Sequence, residues 1–160
     1  MTSQQAPDWE YIAARLLTVR FKYTLNNTME KLAINGFYQK LTYLTEQGLY
    51  GAYILENYSE KEIAEFERAL QRYETGSENR NTLFTYSALN LLLRRYVIRT
   101  RENQVLETPQ EMFMGIAMHL AMNEKTDRTG WVLRFYRMLS KLQVTVASRE
   151  IGRASCRERV

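Results

Sequence analysis

Residues 107–122 read ETPQEMFMGIAMHLAM, and this segment gives the strongest indication of the fold. A helix begins here, because the Thr108 hydroxyl can cap it, Pro109 suits the first helical position and Glu111 can bond back to the cap residue. The apolar side chains that follow point almost all round the helix, which predicts burial by neighbours on several sides. Gly115 predicts close backbone packing there. We expect this helix to form the centre of the domain.

Amphipathic helices are predicted on both sides of this segment. Apolar residues recur at i, i+3 and i+4 over 8–24, 35–47, 60–73, about 85–93 and from 126 to about 141. Gly48 ends the second helix, and Ser59 with Glu62 forms a capping box for the third. The first carries the apolar stripe of Trp9, Ile12, Ala13, Leu16, Val19 and Tyr23, and we expect it to end at Asn26-Asn27.

Two short stretches have strand character instead. Residues 96–99 and 104–106 are rich in β-branched and aromatic side chains around a polar turn, which predicts a β-hairpin. Residues 144–146, Val-Thr-Val, predict a strand that leads into a following sheet or barrel. The residues therefore predict a mainly α fold: a helical domain with one short β-hairpin and the first strand of a following sheet or barrel.

Composition agrees with a helical domain and limits its chemistry. The 160 residues include only two prolines and seven glycines, and the formal net charge is +4. Residues 150–160 match a translated sequencing adapter, so we expect that this tail is not native and that the chain is cut from a longer gene. Cys156, the only cysteine, lies in that tail. Without a long apolar run or a signal peptide, we expect a cytoplasmic protein with no membrane contact.

No motif in the residues themselves carries chemistry. Glycine-rich phosphate loops, nucleophile elbows and metal-binding histidine or cysteine pairs are absent from the sequence, so we predict no catalytic residue and no metal site. His119 is interpreted as structural, and the methionines of 112–122 as core. Arg94-Arg95 fits a helix C-terminus better than a nucleic-acid patch.

Five segments, in order, resemble the N-terminal region of the large (α) subunit of class I ribonucleotide reductase. They are 6–16 (APDWEYIAARL), 54–62 (ILENYSEKE), 84–88 (FTYSA), 107–113 (ETPQEMF) and 134–140 (RFYRMLS). The resemblance implies that residues 1–27 are the last helix of an otherwise missing ATP-cone and 28–143 the N-terminal helical domain. Residues 144–149 would then start the barrel domain, and the expected fold is mainly α with the first strand of a missing α/β barrel.

The resemblance also implies the activity of the whole protein. Such proteins reduce ribonucleoside diphosphates to deoxyribonucleotides for DNA synthesis, with barrel cysteines and a radical from a metal-containing β subunit. ATP and dNTP effectors, a second α subunit and thioredoxin or glutaredoxin are the further implied partners, without DNA contact. Ser148 corresponds to a substrate-binding hydroxyl residue, although Arg149 replaces the proline that follows it in the family, and Tyr23 beside Lys22 corresponds to an effector-binding lysine. The fragment itself would be structural, inactive and without a cofactor.

A second interpretation stays open. The chain can be a free-standing helical module that binds a partner helix through a surface rich in methionine and tyrosine, or nucleic acid through its basic last helix.

Overall fold

The computed structural model describes residues 6–75 and 78–145, and these residues are mainly helical. The α-helices are α1 (Ala6–Lys31), α2 (Phe37–Glu46), α3 (Tyr53–Asn57), α4 (Glu60–Glu74), α5 (Tyr86–Arg95), α6 (Pro109–Ala121) and α7 (Arg128–Ser140). A 3₁₀ helix (Arg80–Leu83) precedes α5. In the part of the chain that is described, no helix combines the length and apolar character that a membrane crossing needs.

Helix α6 is the centre of the domain, as predicted. It packs most extensively on α7 and also contacts α4, while α1 lies against α5 and α2 against α4. Its apolar side chains are buried on nearly all sides, including three of the four methionines of this segment, Met112, Met114 and Met118. These methionines are therefore core residues and not a binding surface.

The helix starts follow local sequence signals. Ser59 and Thr108 each form the predicted capping box, in which the hydroxyl accepts from the third helical N–H and a glutamate accepts from the cap residue's N–H. Thr85 caps α5 in the same way with its hydroxyl alone. Gly48 adopts a left-handed φ of 66° just after α2, as expected of a glycine at that position.

The predicted β-hairpin is wrong. Only an isolated antiparallel bridge joins Arg99 to Val105, and no strand forms among the described residues. The antiparallel pairing does not extend further, because the Ile98 N–H donates to the Glu107 carboxylate at 2.8 Å and not to the facing segment. The Val97 N–H donates to the Leu92 carbonyl at the end of α5. The predicted strand at 144–146 is not seen at Val144 or Thr145 either, and its last residue lies outside the described residues.

Helix α1 differs from its prediction in length and in orientation. It continues through Asn26-Asn27 to Lys31, because Thr28 and Met29, beyond the asparagines, are buried in the core together with Leu25 before them. The apolar stripe of the sequence is not the core face. Five of its members are between 45% and 69% exposed: Trp9, Ile12, Leu16, Val19 and Tyr23. The core face is instead formed by Ala14, Phe21, Leu25 and Met29.

Gly115 lies where α6 touches the segment between α2 and α3. A Cβ at this position would overlap the hydroxyl of the buried Tyr50 and crowd its ring. The predicted close approach is therefore confirmed, and the neighbour is a side chain held in place by burial.

We predict that Gly115→Ala lowers the free energy of unfolding by about 1–3 kcal/mol, because overpacking outweighs the gain in helix propensity. Urea denaturation followed by circular dichroism measures this change. In a Tyr50→Phe background the same substitution should cost less, because the overlapping hydroxyl is gone. An equal cost in both backgrounds would contradict the proposed contact.

Candidate functional site

A chain of polar side chains joins four helices at the N-terminus of α6. Glu74, at the end of α4, binds Lys22 of α1 at 3.1 Å and accepts from the Thr108 hydroxyl at 2.6 Å. Glu111 of α6 accepts from the Thr108 N–H at 2.7 Å and binds Lys40 of α2 at 2.6 Å. We call these five residues the lysine–carboxylate network. It connects α1, α2, α4 and α6 through charged groups that are largely removed from water.

Thr108 is the junction of this network. Its hydroxyl accepts from the Glu111 N–H at 3.1 Å and donates to Glu74, so the helix cap and the link to α4 use the same oxygen. Lys40 and Glu111 have side chains only 9% and 13% exposed. Removal of either partner would leave a largely buried charge uncompensated, so this pair fixes the position of α2 against α6.

A cleft opens beside the network between α1, α2 and α4. Its volume is about 390 Å³, and its charged lining is mostly carboxylate: Glu30, Lys40, Glu67, Glu74 and Glu111. Such a lining repels phosphate, so the cleft does not suit a nucleotide. In the described part of the chain, no group of histidine, cysteine and carboxylate side chains could hold a metal ion.

Glu107 is a buried carboxyl group just before the network. It accepts from the Ile98 N–H at 2.8 Å and from the Tyr50 hydroxyl at 3.4 Å. The pKa of Glu107 is raised to about 8, mainly by burial. The charge of Glu111 acts in the same direction, whereas the hydrogen bonds from Ile98 and Tyr50 and the charge of Lys40 lower this pKa. Burial also raises the pKa of Tyr50, again with Glu107 and Glu111 acting in the same direction. Since Glu107 is only 2% exposed, it cannot reach a substrate and its role is structural.

The residues singled out in the sequence do not form one site. Ser148 lies outside the described residues, so its position stays a prediction. Lys22 points to Glu74 on the core side of α1, whereas Tyr23 next to it is exposed. His119 has its Nδ1 3.0 Å from the Tyr53 hydroxyl, with the two rings edge to face, which fits a structural histidine. The polar contacts at the start of α6 instead form a junction between helices.

Sequence reasoning missed Glu74 and Glu107. Glu74 lies just beyond the predicted helix at 60–73, and its two partners are 52 and 34 residues away in sequence. For Glu107 the sequence held one local sign of burial: this carboxylate stands between an apolar pair and a helix cap, where a buried segment begins. That signal does not reveal the partner, because Tyr50 lies 57 residues upstream.

Comparison with known proteins identifies the class of this helical domain. Residues 82–151 match a family model described as the all-alpha domain of ribonucleotide reductase. Subunit alpha of ribonucleoside-diphosphate reductase from Treponema pallidum is 56% identical over 154 residues, which cover 96% of this chain and 18% of that protein. The subunit from Enterobacteria phage T4 is 31% identical over 90% of the chain, and subunit alpha of reductase 1 from Escherichia coli 26% over 91%.

The family model and these relatives together place the chain in the family. It belongs to the ribonucleotide reductase large subunits and corresponds to their N-terminal region. It spans about 18% of the length of the relatives that it matches.

The raised pKa of Glu107 leads to a prediction about stability and pH. Between the ordinary value of 4.5 and about 8, the folded protein keeps a proton that the unfolded chain has released. The free energy of unfolding should therefore fall as pH rises from 5 to 8. Glu107→Gln imitates the protonated group and should flatten this slope, as measured by urea midpoints at several pH values.

The matched control for this prediction is Glu65→Gln, which removes an exposed carboxylate from α4. It should keep the slope of the unmodified chain. Equal slopes in both variants would show that Glu107 does not titrate in this range.

Proposed function

We propose that this chain is the N-terminal scaffold of a ribonucleoside-diphosphate reductase α subunit, and that the whole protein reduces ribonucleoside diphosphates to deoxyribonucleotides for DNA synthesis. The observation that carries the proposal is the match over 96% of the chain to a protein named as that subunit. The all-α fold of the described residues supports it. The chain has one cysteine, Cys156, so the thiols needed for reduction would come from elsewhere in the whole protein.

The scaffold role is supported by the lysine–carboxylate network. It ties α1 to α4 and α6, and α6 packs on α7, after which the chain continues toward residue 144. Such a connection would transmit the position of a regulatory cone on α1 to a barrel that begins after α7. An effector bound to the cone could then bias the catalytic site through one continuous body.

The exposed stripe of α1 supports the cone assignment. A helix face that exposes five large apolar side chains to water is unusual for a complete domain. Such a face is typical of a surface that another element covers. On this proposal, residues 1–27 would close an ATP-cone whose other helices cover the stripe, 28–143 would be the helical domain and 144–149 would start the barrel.

The remaining assignments belong to the whole protein. It would bind ATP and dNTP effectors and receive a radical from a metal-containing β subunit. A second α subunit, and thioredoxin or glutaredoxin as reductant, would complete the system in the cytoplasm. Ser148 would contribute its hydroxyl to the binding of the ribonucleoside diphosphate.

A chimera tests the scaffold role. Residues 6–145 replace the corresponding segment of the Treponema pallidum subunit, and reduction of ribonucleoside diphosphates is assayed with its β subunit. We expect an active chimera. Lys22→Met in the chimera should alter the ratio of activities with and without ATP, because the tie between α1 and α4 is lost, whereas Lys61→Met at an exposed position of α4 should not.

A folded but inactive chimera would argue against the scaffold and for the free-standing module. The module has one observation in its favour, since the exposed stripe repeats at alternating three- and four-residue steps, as in helix pairing. Burial of Met112, Met114 and Met118 removes the methionine surface from that alternative.

We further predict that the 160-residue chain alone forms no deoxyribonucleotide, even with a β subunit and a dithiol reductant. The chain has a single cysteine, so a radical from the β subunit and electrons from the reductant would lack the several thiols that the reduction needs. Chromatographic detection of deoxyribonucleoside diphosphate in a clean preparation would refute this prediction, with the intact Treponema pallidum subunit as the positive control.

A further inference from the structure

A second cleft, separate from the one beside the lysine–carboxylate network, has a charged lining that is mainly cationic. It lies between the end of α4, the 3₁₀ helix and the end of α7, with a volume of about 750 Å³. Its charged lining consists of four basic side chains and one carboxylate: Arg72, Arg80, Arg137, Lys141 and Glu78. Three positive charges are therefore in excess in one concave surface, which attracts anions.

The single carboxylate is already engaged. Arg72 donates to both oxygens of Glu78, from Nε at 2.8 Å and from Nη2 at 3.3 Å. Both oxygens of the carboxylate are therefore occupied by Arg72. The other three cations have no ion pair in the described part of the chain. Gly76 and Ser77, which lie next in sequence to the cleft residues, are uncharged.

Arg80 forms the buried base of this cleft. The residue is only 5% exposed, its guanidinium stacks 3.3 Å above the Tyr73 ring, and Nη1 donates to the Ser140 hydroxyl. Burial lowers the pKa of Arg80, and Arg137 adds to this effect, whereas Tyr136, Tyr73 and Glu78 act in the opposite direction. A buried cation with a neighbouring cation is unfavourable unless an opposite charge compensates it.

Arg137 and Lys141 form the rim. They are one turn apart at the end of α7, both are exposed, and both line the same cleft as Arg80. Guanidinium and ammonium donors at a rim above a buried guanidinium match the several oxygens of a phosphate chain. The volume of about 750 Å³ exceeds what a single phosphate fills, so the cleft has room for two or three linked phosphates.

We propose that this cleft binds a small oligophosphate anion, such as pyrophosphate or the phosphate chain of a nucleotide, between Arg80, Arg137 and Lys141. The site is separate from the scaffold role and does not depend on it. Binding would neutralise the excess charge and hold the end of α7 against the 3₁₀ helix.

Nuclear magnetic resonance of the full 160-residue chain tests the proposal. Inorganic pyrophosphate is titrated at constant ionic strength, and the arginine Nε–H signals are followed. We expect saturable shifts at Arg80 and Arg137. The double variant Arg137→Gln/Lys141→Gln should bind at least about tenfold more weakly, because two charge-assisted contacts are lost.

The matched control is Arg94→Gln/Arg95→Gln, which removes the same charge from exposed positions on α5. It should keep the affinity of the unmodified chain. Absence of saturation, or equal weakening in both double variants, would overturn the proposal. Parallel titrations with a nucleoside triphosphate and with inorganic phosphate identify the source, since a bound base would add shifts at Tyr73 or Leu83. Tighter binding of a single-stranded oligonucleotide, with shifts that extend to Arg94 and Arg95, would favour a nucleic-acid surface instead.

Discussion

Burial of α6 on nearly all sides governs how the other helices of the domain are placed. A helix without a polar face needs partners all round it, and α7, α4 and the segment around Tyr50 supply them. Each polar group that this packing buries must then find a partner within the core. Tyr58 donates to the Met118 carbonyl at 2.6 Å, and Tyr136 donates to the buried Gln110 side chain at 3.0 Å. Tyrosine hydroxyls thus satisfy the polar atoms of a helix that water does not reach.

Two carboxyl groups near the start of α6, those of Glu107 and Glu111, have different surroundings. At the start of α6, Lys40 and Glu111 form an ion pair at 2.6 Å, and the Thr108 N–H donates to the Glu111 carboxylate and so positions it. Glu107, four residues earlier, has only weaker compensation and is held mainly in its neutral form at moderate pH. The same stretch of chain therefore contains one carboxylate that acts as a charge and one that acts as a hydrogen-bonding group. Which role each has is set by its distance from Lys40 and by the depth of burial.

Local signals in the sequence predicted the helices well because each signal acts over three or four residues. The boxes at Ser59 and Thr108 and the left-handed Gly48 are cases in which the physical cause lies within about one turn. The prediction of a β-hairpin at 96–106 was wrong because its outcome depended on a carboxylate beyond the second strand. Glu107 takes the Ile98 N–H that a ladder would need, and β propensity alone does not register such a competitor.

For α1 the sequence predicted the existence of the helix but not the orientation of its faces. Both faces contain apolar residues, and the choice between them was made by long-range packing of Phe21 and Leu25. The resemblance to the reductase family came from the order of five segments, and the comparisons confirmed it. The junction at Glu74 could not be predicted, because its contacts join residues from three distant parts of the chain.

The start of α2 has a consequence for the order in which the domain folds. Gly36 precedes this helix with a φ of 87° and offers no side chain to its free N–H groups. The Phe37 N–H donates instead to Glu67 of α4 at 3.0 Å, a residue 30 positions later in the chain. A ten-residue helix is marginal in isolation, so α2 has little reason to persist until α4 has formed and docked. In nascent chains that end before Glu67, residues 37–46 would therefore not form a stable helix. This helix would form in a later step, together with the docking of α4.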